Sequence, residues 1–100
     1  MGKFSLIEIW RVIIMSKIPD EFKKRLRNRL YGVLCEREKN REWKKFLDSV
    51  IIELMGAVTN DEDKTLGYYV LLAKLNSCRF LEYEYFRTTI LECMGIFDKI

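Results

Sequence analysis

Between Trp43 and Val58 the apolar residues return with the period of a helix, and this stretch constrains the fold more than any other. Trp43, Phe46, Leu47, Val50, Ile51, Leu54, Ala57 and Val58 share one arc of a wheel drawn at about 100° per residue. A strand would send alternate members of this set to opposite faces. The spacing therefore predicts a helix over about residues 41 to 58 with one buried side. Ile52 falls outside the arc, among Lys45, Asp48 and Gly56.

The flanking segments repeat the pattern. Pro19 is suited to a helix start, and Asp20 and Glu21 follow where the helix dipole favours acids. Phe22, Leu26, Leu30, Val33 and Leu34 then form one stripe, and the alternating charges of "EREKNRE" place a break near Asn40. Residues 5 to 16 read as a helix with Ser5 and Glu8 in capping-box spacing and a polar strip of only Ser5, Glu8 and Arg11. Asn60 reads as a cap, with Asp61, Glu62 and Asp63 in the first turn of a helix running to about Leu75, apolar nearly all round. Asn76 and Ser77 mark the next break. The last helix covers about residues 79 to 97, with Tyr83, Phe86, Ile90, Cys93 and Phe97 on one face.

These segments predict an all-α fold, a compact bundle of four or five helices forming a single domain over residues 1–100. The alternative is an α+β arrangement with a hairpin at about 68–86, because "RFLEYEYF" also alternates and is able to pair with "YVLLAKL". The helix is preferred because its period continues to Phe97.

Several chemistries lack their residues. The chain has no histidine, which removes the usual general base, the common zinc ligand and every Ser-His or Cys-His nucleophile. No Gly-rich phosphate loop follows a predicted strand. Asp61, Glu62 and Asp63 lack the glycine and distal glutamate of a calcium loop. The expectation is therefore no enzyme, no catalytic residue, no metal, no cofactor and no small-molecule substrate. Cys35, Cys78 and Cys93 are an odd number and far apart, which suits buried thiols in the reducing cytoplasm. The apolar run from Phe4 to Met15 is broken by Glu8 and Arg11 and is too short to span a membrane.

Charge is unevenly spread. Residues 17 to 45 carry eleven cations against five acids, a net of plus six in a chain of plus three. Such a region suits an acidic partner or a phosphate backbone. The candidate nucleic-acid contacts are Lys24, Arg27, Asn28, Arg29, Lys44 and Lys45, with Tyr31 available for stacking. The wheel argues against a groove-reading helix: Lys23 and Arg27 border one edge of the core stripe, Arg25 and Arg29 the other, and Lys24 and Asn28 point away. Cations placed so cover a core boundary with their stems.

Two nearly all-apolar helices in so short a chain point instead to a protein surface, either of a second copy in a homodimer or of another protein. Trp10, Ile14, Ile52, Tyr68 and Leu72 are the candidate contacts. Tyr68, Tyr69, Tyr83 and Tyr85 read as two core rings and two at its edge, with an aromatic surface for a partner as the alternative. Residues 75 to 96, "LNSCRFLEYEYFRTTILECMGI", resemble in size and in their Arg79-Phe80 start the final helical hairpin of the immunity proteins that protect producers of pediocin-like bacteriocins. The resemblance covers a fifth of the chain and carries no distinctive motif, so no property of that family is transferred. The functional expectation is a small non-enzymatic protein-binding module, acting as an inhibitor, immunity factor or adaptor, with nucleic-acid binding through residues 17–45 as the alternative.

Overall fold

The computed structural model describes residues 17–39, 42–60 and 65–100. Four α-helices follow one another: α1 (Asp20–Glu38), α2 (Trp43–Thr59), α3 (Leu66–Ser77) and α4 (Tyr83–Lys99). A 3-10 turn, Cys78–Phe80, joins the last two. No strand occurs among the described residues. The hairpin alternative over 68–86 gives way because Tyr68, Leu71 and Leu75 all face the core, and their spacing of three and four residues suits a helix but not a pleated strand. The helix expected over residues 5–16, with Trp10 and Ile14, lies outside the described residues.

The helix ends follow local chemistry. The carbonyl of Pro19 accepts the amides of Phe22 and Lys23 at 3.1 and 3.3 Å, which opens α1 with Asp20 and Glu21 in its first turn. Asn60 closes α2, its amide donating to the Gly56 carbonyl at 3.1 Å, instead of capping the next helix. That helix begins only at Leu66, after Thr65 in extended backbone. The correction has a simple cause: the spacing that buries Tyr68, Leu71 and Leu75 starts there. Ser77 ends α3, its hydroxyl donating back to the Lys74 carbonyl at 2.7 Å, so it does not start the final helix. Leu81 and Glu82 supply the break before α4.

The helices form a ring in which α1 packs on α2 and α4, and α3 packs on the same two. Ion pairs tie the N-terminal half of α1 to the C-terminal half of α2 and to the last turn of α4. Neighbours are thus antiparallel, as an up-and-down bundle requires. The interior contains Leu26, Leu30 and Val33 of α1, Leu47, Val50 and Leu54 of α2, Tyr68, Leu71 and Leu75 of α3, and Phe86, Ile90 and Cys93 of α4. Burying each large aliphatic side chain contributes about 1.5–3 kcal/mol. Gly67 is a point of close approach, since a Cβ there would meet Cγ2 of Ile100 at 2.6 Å.

One charged residue completes this interior. Arg37 continues the α1 stripe, three residues after Leu34 and four after Val33, but it follows the last aliphatic turn. Its guanidinium carbon lies 4.5 Å from the Trp43 ring centroid, 4.3 Å from that of Phe86 and 6.0 Å from that of Tyr83. Nη2 donates to the Leu81 carbonyl at 2.8 Å, while Nη1 is buried among rings with no hydrogen-bond partner among the described residues. Trp43 and Phe86 also meet edge to face at 4.8 Å. One side chain therefore joins α1, α2, the start of α4 and the connection before it. Arg37→Ala should cost about 2–3 kcal/mol of unfolding free energy, read by urea denaturation followed by circular dichroism. A loss under about 0.5 kcal/mol would place Arg37 among ordinary surface residues.

Candidate functional site

The basic run of α1 is used within the bundle. Arg25 and Arg29 both pair with Glu53 of α2, and Arg29 also donates to the Ser49 hydroxyl. Arg27 pairs with Asp98 of α4 at 3.2 Å. Lys23 pairs with Asp20 at 3.0 Å and donates to the Ile100 carbonyl. The two edges of the core stripe thus face two different helices, as the wheel indicates. Lys24 and Asn28 face solvent from the ridge between them. Tyr31 is exposed on the same helix. Lys45 pairs with Glu42, and Lys44 sits 5.7 Å from the Trp43 ring centroid. Of the candidate phosphate contacts, Arg27, Arg29 and Lys45 are therefore already matched by acids, and among the described residues of α1 no continuous row of free cations remains.

A different surface is rich in exposed apolar side chains. On α3 the exposed side carries Leu66, Tyr69, Val70 and Ala73, which recur at three and four residues and share one arc. Lys74, the one charged residue of α3, turns toward α4 and pairs with Glu92 at 3.1 Å, a contact that raises its pKa above the ordinary lysine value. The opposite shoulder of α3 faces α2. On α2, Asp48 marks the shoulder toward this side, because it pairs with Arg79 just past the end of α3. Met55 lies two turns along from Asp48 on nearly the same line, and Ile52 stands on the crest beside it. Ile52 is 68% exposed. Ile52 and Met55 of α2 and Leu66 and Tyr69 of α3 are thus exposed apolar groups beside the α2–α3 seam, while Val70 stands one turn before Lys74, on the side of α3 toward α4.

Of the contacts expected from sequence, only Ile52 belongs to this face. Tyr68 is fully buried, its ring meeting Phe97 edge to face at 6.2 Å, and Leu72 is partly buried against the core. Neither stands on the outward crest of α3. The cause is rotational: Tyr68 and Leu72 lie one position away from Tyr69 and Ala73, and an inward face centred on Leu71 and Leu75 captures them. Tyr69 is one of the tyrosines read as a candidate aromatic surface, and the overlooked residues Leu66 and Val70 carried a signal, the second apolar stripe left over once Tyr68, Leu71 and Leu75 are assigned to the core. Trp10 and Ile14 lie outside the described residues.

A second apolar feature is the corner before α4. Phe80 is 86% exposed and Tyr85 66% exposed, while neighbouring Cys78 is fully buried and Leu81 packs against the core. Glu82 and Glu84 flank this corner. Tyr83 turns away to α1, donating its hydroxyl to Glu38 at 2.7 Å, and this bond pushes the hydroxyl pKa up. A groove of about 630 Å³ runs between α1 and α2, lined by Gly32, Phe46, Ser49 and the charged groups Arg29, Glu36, Glu42 and Lys45.

Cys78 and Cys93 lack the environment of a reactive thiol. All three are free, with Cys78 and Cys93 buried and Cys35 partly so. Burial pushes the Cys78 thiol up to about 11 and the Cys93 thiol up to about 12, whereas a nucleophilic cysteine needs a lowered value. Among the described residues no group of three or more acids and cysteines is placed to hold a metal ion, and no helix is long and apolar enough to cross a membrane. Comparison with protein-family models, with curated proteins and with solved structures finds no match for the chain.

The folded state holds Cys78 and Cys93 protonated beyond the pH at which the unfolded chain loses those protons. Their contribution to stability is thus complete below about pH 9 and is lost as pH rises through about 11 for Cys78 and about 12 for Cys93. Iodoacetamide near about pH 8 should label Cys35 first and the other two only as the chain unfolds. Mass spectrometry of a labelling time course checks this; equal native rates at all three sites would contradict the burial.

Proposed function

We propose that the chain is a non-enzymatic helical protein-binding module that works by covering a partner's surface, as small inhibitors, immunity factors and adaptors do. The observation that supports this is the set of exposed apolar side chains on the outer sides of α2 and α3: Ile52, Met55, Leu66, Tyr69 and Val70. One residue in three of this chain is charged, and a cluster of exposed apolar groups on so charged a chain marks an interaction site. Aromatic and methionine side chains are enriched at such interfaces. Buried free thiols suit work in the reducing cytoplasm.

The nucleic-acid reading through residues 17–45 has weaker support. Backbone binding needs several cations free to replace counterions, and Arg25, Arg27 and Arg29 already bind acids of neighbouring helices. Moving them to phosphates would break ties that hold the bundle together.

Affinity purification from the native cell tests the two readings together. Wild type, Ile52→Glu and Val70→Glu are compared, each shown to be folded by circular dichroism, with nuclease applied to half of every sample. The expected outcome is a protein that co-purifies with wild type, survives nuclease and falls at least about tenfold with either variant, the loss typical of a residue at an interface centre. Co-purification that nuclease abolishes and the two variants leave unchanged would overturn the proposal in favour of nucleic acid.

A further inference from the structure

We draw no further inference here: the strongest candidate, the surface patch of Phe80 and Tyr85 at the corner before α4, is an unpartnered apolar feature, and nothing in the structure shows what covers it.

Discussion

The end of the bundle closes around the guanidinium of Arg37. Four antiparallel helices leave an open end where their termini meet, and here that end is sealed by Trp43, Phe86 and Tyr83 gathered on one planar cation. A leucine in place of Arg37 would pack against the rings but leave the Leu81 carbonyl without its donor. Arginine supplies both the flat surface for stacking and the hydrogen bond at 2.8 Å. The connection from α3 to α4 is thereby fixed in direction. Phe80 is held in water by the same arrangement, since Cys78 and Leu81 on either side are anchored inward.

Along the length of the bundle, charge has a different role. Ion pairs join α1 to α2 through Glu53, α1 to α4 through Asp98, and α3 to α4 through Glu92. All of these groups retain solvent exposure, and exposed pairs contribute only about 0–1 kcal/mol each. Their value lies in placement, because each side chain must reach its acid while its stem covers the edge of the core. The density of cations in α1 follows from this position: the helix borders two neighbours and supplies positive groups to both. A local count of plus six overstates the field available to an outside partner, since much of it is answered by acids on helices that come later in the chain.

This explains what could be read from the sequence and what could not. The α2 stripe from Leu47 to Val58 and the α4 stripe from Phe86 to Phe97 lie inside as their spacing requires, because burial of an apolar arc is decided within one helix. The start of α3 was harder to read, since Asn60 and the acids after it carry cap chemistry and only the phase of the core face places the start at Leu66. Arg37 had a legible position and a misleading residue type: its phase continues Leu30, Val33 and Leu34, yet its charge suggested a solvated end. Tyr68 and Tyr69 show the limit of composition. Two identical neighbours have opposite fates, one buried and one exposed, and only the rotation of α3 set by Leu71 and Leu75 distinguishes them.

The same logic explains why the seam of α2 and α3 differs from the others. Among the described residues the α1–α2 and α1–α4 seams carry several polar ties, and the α3–α4 seam carries the pair of Lys74 with Glu92. The α2–α3 seam carries the pair of Asp48 with Arg79 at the end beside the turn, and past it stand the exposed apolar side chains of Ile52, Met55, Leu66 and Tyr69. Stability does not require this, because the buried sides of both helices already carry Leu47, Leu54, Leu71 and Leu75. Solubility opposes it, because lysine or glutamate at Ile52 or Val70 would be well solvated at no cost to the core. The proposed docking role would supply the missing reason, since a surface covered by a partner for part of its time gains from apolar side chains.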